Sequence, residues 1–405
     1  MTLSARPHRI GHPSPLLFHL GAALTGYQAA VAAAPKCCDP EFPWHPDVVR
    51  PDPPAPDHLA VAHLAFSRLR ATEEGIAAWQ SHPYCRQQPD VPVIWSSGSS
   101  RLLDYAPDNI SAPVVLVVPS LINRAYILDL DQDCSFLRYL AASGLRPILM
   151  DWGPPGFDEA QFDLDAYVTA RLFPAAAFLY GQSGRPPSLL GYCMGGALAT
   201  ALAARMQVGA LITIGAPWSF STGTGIAGEI LKLIRQAGPS TMQANLTAMC
   251  EAFGLVPDWV IQQLFALVKP FDAARKFQKF RRMDPDSPEA RRFVVLEDWL
   301  ADSISMAGPA ARDLLIDWHL LDRLAGGQWS VMGRVVRACD VAAPALVISG
   351  RRDTIAPPAS SAPLAAALPK AKLLQPDLGH VGMIVGRQAE TKVWSEVVAF
   401  LNADH

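Results

Sequence analysis

Motifs for binding metal ions, phosphate groups and nucleotides are absent from this sequence of 405 residues. Its seven cysteines are scattered, with no zinc-site spacing and no even-numbered framework of the kind that staples secreted domains. We find no phosphate-binding loop and no dinucleotide-binding glycine fingerprint. The net charge of -3, with 18% charged residues, gives no general preference for nucleic acid or for an anionic membrane. These absences favour a reduced, cytosolic protein that needs neither a metal ion nor a bound cofactor.

Hydrophobic residues, in contrast, make up 50% of the chain, enough to bury a large core. Proline-rich sequence near the N-terminus ("PDVVRPDPPAPDH") indicates an extension rather than an independent domain. We expect four parts: an N-terminal extension (1–89), a first core segment (90–217), a largely helical insertion (218–342) and a second core segment (343–405). The insertion would form a cap over the ends of the core strands.

An apolar stretch at residues 14–34 is the most ambiguous part of the sequence. The basic residues before it, Arg6, His8 and Arg9, and its small-residue end imitate a secretory signal. His19, Tyr27 and Gln28 interrupt it, which argues against a transmembrane span. Leucines near helical spacing favour an amphipathic helix that is retained and packs on the protein or docks on a hydrophobic surface. These leucines are Leu16, Leu17, Leu20 and Leu24.

From residue 90 onward, short apolar runs alternate with helix-like segments. The sequence "VPVIWSSGSSRLLDYAP" is typical of two strands joined through Gly98. Further runs typical of buried strands cover residues 113–120, 145–153, 188–193, 210–217, 343–353 and 371–380. Because helix-like segments separate these runs, the sequence predicts an α/β fold with a doubly wound, mostly parallel sheet.

The sequence "LLGYCMGGALAT" (189–200) places Cys193 where a strand turns sharply into a helix. Gly191 precedes the cysteine, and Gly195 and Gly196 follow it, so strand and helix can approach closely. This is the nucleophile-elbow pattern G-x-S-x-G, with sulfur in place of the serine oxygen. The N-terminus of the helix would stabilise negative charge on the sulfur or on an oxyanion. Taken alone, the pattern fits a buried structural cysteine equally well.

Two further residues at predicted strand ends complete a catalytic triad. Asp353 ends one predicted strand and precedes a turn, and His380 ends the last one. The order nucleophile, acid, histidine is that of α/β-hydrolases. His380 would take the proton of the thiol or of an alcohol, and Asp353 would hold the imidazole in place. Asp151 and Asp377 are the competing acids.

Backbone N–H groups are expected to stabilise the oxyanion that such a triad generates. One is the N–H of Met194, directly after the cysteine. By strand register the second is the N–H of Leu121, in the loop after the strand at 113–120, with Ser120 as the alternative.

Four segments carry these residues and their surroundings: "VVPSLINRAYILDL" (117–130), "GYCMGG" (191–196), "RRDTIAPPASS" (351–361) and "LGHVGMIVG" (378–386). Together they resemble the polyhydroxyalkanoate synthase family, over roughly residues 90–400. Thr354 and Pro358 stand where many synthases have a histidine and a tryptophan, and the run after His380 lacks their Asn-Pro-Pro. The chain therefore resembles an outlying branch of that family.

The resemblance implies an α/β-hydrolase fold with a helical cap insertion and a triad of Cys193, Asp353 and His380. It implies an acyltransferase that takes 3-hydroxyacyl groups from coenzyme A onto the cysteine and passes them to a hydroxyl of a growing polyester. Coenzyme A would then be part of the substrate, not a cofactor. The partners would be the polyester chain and a second synthase subunit or a second copy of the chain. The protein would be cytoplasmic, with attachment to the surface of a polymer granule.

A cysteine nucleophile favours transfer over hydrolysis. Moving an acyl group between two sulfur atoms is nearly isoenergetic, and the resulting thioester stays activated toward an alcohol. Two alternatives stay open: a thioesterase or polyester depolymerase of the same fold, and a non-catalytic granule-binding protein.

Weaker signals concern the substrate. Trp152 and Trp218 would line an acyl pocket or simply pack in the core. A basic cluster would contact the phosphates of coenzyme A or form a solvated charged face. Its members are Arg275, Lys276, Lys279, Arg281 and Arg282.

Overall fold

The computed structural model describes residues 9–36, 39, 57–268 and 270–403. Contacts between residues divide the chain into two compact units. Unit 1 comprises Met1–Arg86 and Gln262–Ala301, and unit 2 comprises Gln87–Ile261 and Asp302–His405. Unit 1 thus includes the middle of the predicted helical insertion, and the predicted four-part division stays a prediction.

The strands all lie in unit 2, whereas both units contain helices. The strands are β1 (Val93–Ser97), β2 (Ser100–Asp104), β3 (Val114–Val118), β4 (Arg146–Asp151), β5 (Ser188–Tyr192), β6 (Leu211–Ile214), β7 (Ser330–Val331), β8 (Arg334–Val335), β9 (Ala345–Ile348) and β10 (Ala371–Leu374). The α-helices are α1 (Leu16–Ala33), α2 (His58–Ser81), α3 (Phe136–Ala142), α4 (Leu164–Tyr167), α5 (Phe173–Ser183), α6 (Met194–Ala203), α7 (Gly225–Ala237), α8 (Pro239–Phe253), α9 (Asp258–Val268), α10 (Asp272–Phe280), α11 (Pro288–Ala301), α12 (Gly308–Arg312), α13 (Pro358–Ser361), α14 (Pro363–Ala367), α15 (Gly382–Val385) and α16 (Ser395–Leu401). Segments of π-helix at Val168–Leu172, Asp313–Leu320 and Glu390–Trp394 adjoin α5, α12 and α16.

Unit 2 is built on an eight-stranded sheet with the strand order β1-β2-β4-β3-β5-β6-β9-β10. β1 pairs antiparallel with β2, and β2 pairs antiparallel with β4, whereas the other pairings in this sheet are parallel. All five residues of β3 are buried, as expected of a central strand that is covered on both faces. The predicted hairpin through Gly98 and the predicted mostly parallel sheet are confirmed.

The parallel register brings the carboxyl ends of β5, β6 and β9 side by side. Tyr192 pairs with Ile214, and Ile214 pairs with Ile348. The last two strands are shorter than the sequence predicted, because β9 ends at Ile348 and β10 at Leu374. Asp353 and His380 therefore lie in the loops that follow these strands rather than at the strand ends themselves.

Between β6 and β9 the chain is mainly helical, as predicted, and also forms a short hairpin of β7 and β8. At the start of α7, the N–H of Ile226 donates to the carbonyl of Thr354 over 2.7 Å. The guanidinium of Arg205, just after α6, donates to backbone carbonyls of the hairpin, including that of Val331. These contacts connect the inserted segment to the sheet within unit 2.

Unit 1 has its own apolar cluster, to which α2, α10 and α11 contribute. The buried members are Ile76, Trp79, Phe277, Phe280, Ala290 and Val294. α2 and α10 approach closely at Gly75, where an added Cβ would lie 2.1 Å from the carbonyl oxygen of Phe277. Glycine is required there because any side chain would collide with that backbone.

The N-terminal helix α1 lacks the single apolar face that its leucines predict. Leu16 and Leu20 pack against the cluster of unit 1, but Leu17 and Leu24 are exposed. By length and composition, Leu16–Lys36 could cross a membrane, with a mean hydropathy of 1.3. This is weak evidence, since a secretory signal near an N-terminus meets the same criteria.

Candidate active site

Cys193 occupies the corner between β5 and α6. Its φ of 55° and ψ of -132° lie in a region that residues other than glycine rarely adopt. Met194 follows as the first residue of α6, and the N–H groups of a first helical turn have no acceptor within their own helix. The corner thus presents a half-buried thiol beside backbone donors.

The glycines around the cysteine allow the sheet and α6 to approach closely. An added Cβ on Gly191 would lie 2.3 Å from the Cα of Gly196, and one on Gly195 would lie 2.1 Å from the carbonyl oxygen of Val118. Both distances are far below van der Waals contact, so any side chain would push α6 away from the strands. The predicted elbow geometry is present, for the steric reason that the glycine spacing suggests.

His380 and Asp353 form a buried pair. Nδ1 of His380 lies 2.7 Å from Oδ2 of Asp353, and the two residues are only 7% and 3% exposed. The other oxygen, Oδ1, accepts the backbone N–H groups of Ile355 and Ala356, each over 2.8 Å. Both carboxylate oxygens are therefore engaged. This arrangement fixes the proton on Nδ1 and leaves Nε2 for another partner.

That partner is Cys193, whose side chain hydrogen-bonds to the imidazole of His380. Burial alone lowers the pKa of His380, but the charges of Asp353 and Cys193, together with hydrogen bonds to both, outweigh burial. The pKa of His380 is therefore raised above its usual 6.5, so the ring carries a positive charge at neutral pH. The structure brings together the three residues of the predicted triad, and their catalytic roles stay a prediction.

The two competing acids are engaged elsewhere. Asp151 pairs with Arg101 over 2.6 Å and accepts the N–H of Gly153. Asp377 is largely exposed and pairs with Arg352 over 3.1 Å. Asp353 is therefore the carboxylate that holds His380.

The loop after β3, which carries Leu121, is held from two sides. Nε1 of Trp152 donates to the carbonyl of Pro119 over 3.1 Å, and the N–H of Ile304 donates to the carbonyl of Ile122 over 3.2 Å. Trp152 thus anchors the loop that is expected to provide an oxyanion donor. The sequence does not predict this role, because a tryptophan after a strand indicates that its side chain is buried but not which group its indole N–H contacts. The donor roles of Leu121 and of the N–H after the cysteine stay predictions.

The weaker sequence signals have structural partners. Trp218 is 5% exposed, and its backbone N–H donates to the carbonyl of Ser360, a bond that helps to hold the loop after β6. In unit 1, three residues of the basic cluster pair with carboxylates. The pairs are Arg275 with Asp272, Lys276 with Glu297, and Arg281 with Glu74. Such pairing favours a charged face over a phosphate site, and both readings stay open.

Two residues next to the imidazole were also missed. Tyr192 precedes the cysteine, and Gly215 follows β6. The register of β5 with β6 places both at the edge where the triad assembles. That register was the available signal, but the sequence alone does not show that the last loop folds back onto these two residues.

Two further features bear on ligand binding: metal-ligating side chains and a cleft away from this site. Among the residues that the structure describes, no cluster of three or more His, Cys, Asp or Glu side chains could hold a metal ion. A cleft of about 420 Å³ lies at the amino ends of β9 and β10, lined in part by Pro344, Lys370 and Phe400. It contains none of the predicted site residues.

The chain is similar in sequence to one protein family and to several known proteins. The sequence model of a family described as "alpha/beta hydrolase fold" matches residues 113–386. The poly(3-hydroxyalkanoate) polymerase subunit PhaC of Haloferax mediterranei is 29% identical over 315 residues, which are 75% of this chain and 62% of that protein. The subunit of the same name from Allochromatium vinosum is 26% identical over 73% of this chain and 82% of its own length.

Among solved structures, the monoacylglycerol lipase of Paleococcus ferrophilus superposes with a TM-score of 0.45 at 15% identity. The match covers 74% of this chain and 97% of the lipase. This chain spans less than two thirds of the Haloferax relative.

Proposed function

This chain belongs to the α/β-hydrolase superfamily and, within it, to the polyhydroxyalkanoate synthase family, and from this premise we propose that it is an acyltransferase that forms polyester. It takes 3-hydroxyacyl groups from coenzyme A thioesters onto Cys193. It then passes each group to the hydroxyl of a growing polyester chain.

One observation carries this proposal: a cysteine, not a serine, occupies the strained elbow beside the hydrogen-bonded His380–Asp353 pair. A serine ester would sit lower in energy than the thioester substrate, whereas an enzyme thioester keeps the acyl group activated. The charge of Asp353 also raises the pKa of His380, and a positively charged imidazole beside Cys193 suits a thiol nucleophile.

In the first step, the sulfur of Cys193 attacks the carbonyl carbon of the acyl-coenzyme A thioester. The developing oxyanion accepts hydrogen bonds from the N–H groups of Met194 and Leu121. The carbon–sulfur bond to coenzyme A breaks, and the departing thiolate takes the proton from Nε2 of His380. This leaves an acyl-cysteine, a neutral imidazole and free coenzyme A.

In the second step, the hydroxyl at the end of the polyester chain attacks the acyl-cysteine. Neutral His380 takes the hydroxyl proton, and Asp353 stabilises the imidazolium that forms. The bond between carbon and Cys193 breaks, which restores the thiolate–imidazolium pair and lengthens the polyester by one unit. The proposal includes a cytoplasmic location at the surface of a polymer granule. It also includes a partner, which is a second synthase subunit or a second copy of the chain.

The test uses purified protein with 3-hydroxybutyryl-coenzyme A. Release of coenzyme A is followed with a thiol reagent, and the products are separated into polymer and free acid. We expect polymer to account for most of the coenzyme A released. Free 3-hydroxybutyrate as the main product would show hydrolysis, and no release of coenzyme A would show that the substrate class is wrong.

Asp353→Asn should shift the alkaline limit of acylation to lower pH. In the native protein, burial lowers the pKa of His380, and the Asp353 charge is the main influence that raises it. Because this pKa is raised, the imidazolium of His380 persists above pH 6.5 and is deprotonated only at alkaline pH. With asparagine, burial dominates and the ring is neutral at lower pH. Single-turnover acylation measured from mildly acidic to alkaline pH tests this, and an unmoved alkaline limb would contradict it.

Asp353→Asn should also slow transfer more than acylation. Acylation starts from an existing ion pair, whereas transfer requires His380 to deprotonate a neutral alcohol and become charged. We therefore expect a larger loss in steady-state polymer formation than in single-turnover release of coenzyme A. Asp151→Asn is the matched control, since Asp151 pairs with Arg101 and not with the histidine. Equal losses in the two assays would rule out this division of labour.

A further inference from the structure

Tyr192 contacts the imidazole of His380 with its ring. The two ring centroids lie 5.2 Å apart, and the ring planes are inclined by 33°. Tyr192 is 3% exposed, so the contact is sealed from water. Because Tyr192 is the last residue of β5, its backbone position is fixed by the sheet. The aromatic face therefore forms a rigid wall on one side of the imidazole.

Gly215 forms a second wall. Its φ is +57°, and an added Cβ would lie 3.0 Å from Nδ1 of His380 and 3.0 Å from Cε of Met383. Its N–H donates to the carbonyl of Ile348, which ties it to the neighbouring strand β9. The imidazole thus comes so close to the backbone of Gly215 that a methyl group there would displace it.

The hydroxyl of Tyr192 plays no visible part in this contact. Among the residues that the structure describes, it has no hydrogen-bond partner, although it is buried. Burial and the charges of Cys193 and Asp353 raise the pKa of Tyr192 well above its usual value, so the group is neutral. An unpaired buried hydroxyl is unfavourable. The contact with His380 is thus made by the aromatic ring and not by the hydroxyl.

We propose that Tyr192 and Gly215 form a slot that fixes the plane of the His380 imidazole, with Tyr192 as a positioning residue. The hydrogen bonds of His380 to Asp353 and Cys193 hold two points of the ring and leave the tilt of its plane to be set by packing. The tilted contact with the Tyr192 ring and the close approach of the Gly215 backbone limit this tilt. The consequence rests on the proposed function: Nε2 must meet first the sulfur of coenzyme A and then a hydroxyl, in one fixed orientation.

The test compares Tyr192→Phe with Tyr192→Met. Phenylalanine keeps the flat face and removes the unpaired hydroxyl, so we expect native rates. Methionine fills the space but has no flat face, so we expect kcat to fall by about 100-fold with KM nearly unchanged. Phe136→Met is the control for a lost aromatic contact, since Phe136 stacks on Trp394 instead. This control should keep native activity.

A second readout does not depend on turnover. The Nδ1–H proton shared with Asp353 should give a low-field NMR resonance in the native protein, in Tyr192→Phe and in Cys193→Ala. It should broaden or vanish in Tyr192→Met and in Gly215→Ala, which covers the case in which one of these variants does not fold. A sharp resonance and native kcat in Tyr192→Met would overturn the slot, as would equal losses in the Phe and Met variants. Failure of the proposed function would instead appear as a lack of acyl transfer by the native protein with the resonance intact.

Discussion

Cys193→Ala is expected to abolish release of coenzyme A from 3-hydroxybutyryl-coenzyme A, by about 10⁴-fold or more. The sulfur is the atom that forms the acyl bond in the proposed mechanism, and no neighbouring group can replace it. The fold should survive, because the side chain is small and half-buried at a surface corner. Thiol release measured at equal protein concentration, with circular dichroism as the check on folding, tests this expectation.

Cys339→Ala is the matched control, since Cys339 is an exposed free cysteine of the same unit. It should behave like the native protein. Cys193→Ser should retain slow ester chemistry, because an alcohol at the elbow still faces His380 but is a weaker nucleophile. Native turnover in the alanine variant would remove Cys193 from the mechanism and leave it as a structural residue of the elbow.

The parts of this site that follow from local sequence were predicted well. Gly191 and Gly195 indicate close packing at a strand-to-helix turn, and the structure shows the steric collisions that any larger residue would cause. The alternation of apolar runs and helices predicts the parallel sheet. Parallel strands bring their carboxyl ends to one edge, so the sheet itself brings Cys193, Asp353 and His380 near one another.

The parts that depend on loop conformation were not predictable. Asp353 and His380 lie several residues beyond the ends of β9 and β10, and their 2.7 Å contact depends on how two loops close. The Trp152 anchor on Pro119 and the ring contact of Tyr192 are likewise contacts between elements distant in sequence. Sequence periodicity shows which face of a strand is buried, but not which side chain of another loop covers it.

Replacing Arg9 is expected to have the second large effect, a loss of stability of unit 1. The sequence places it in the basic start of a possible secretory signal, yet in unit 1 it is fully buried. Its Nε and NH2 groups donate to the two carboxylate oxygens of Asp298 over 2.7 and 2.6 Å. Its NH1 group donates to the carbonyls of Trp79 and His82 over 3.0 and 2.7 Å. One guanidinium thus connects the N-terminal segment, the end of α2 and the helix α11.

Arg9→Met should destabilise unit 1 by about 3–5 kcal/mol, because it removes one partner of a buried ion pair together with the hydrogen bonds that the guanidinium donates. Hydrogen exchange of the backbone amides in α1 and α2 measures this loss locally, which avoids assuming that the whole chain unfolds in one step. Arg275→Met is the control in the same unit. The Arg275–Asp272 pair is exposed, so its loss should cost about 0–1 kcal/mol.

A double variant separates the lost ion pair from lost packing. Arg9→Met combined with Asp298→Asn removes the charge of both partners, while the amide oxygen can still accept the 3.1 Å hydrogen bond from Nε1 of Trp79. It should therefore be more stable than Arg9→Met alone.

The same reasoning predicts that deleting residues 1–34 reduces solubility, because it also uncovers the apolar cluster beneath Leu16 and Leu20. We accordingly expect the protein purified from its host to retain Arg9, and mass spectrometry of its N-terminus decides this. A mature chain beginning near Ala34 would contradict the buried role of Arg9 and favour an exported hydrolase.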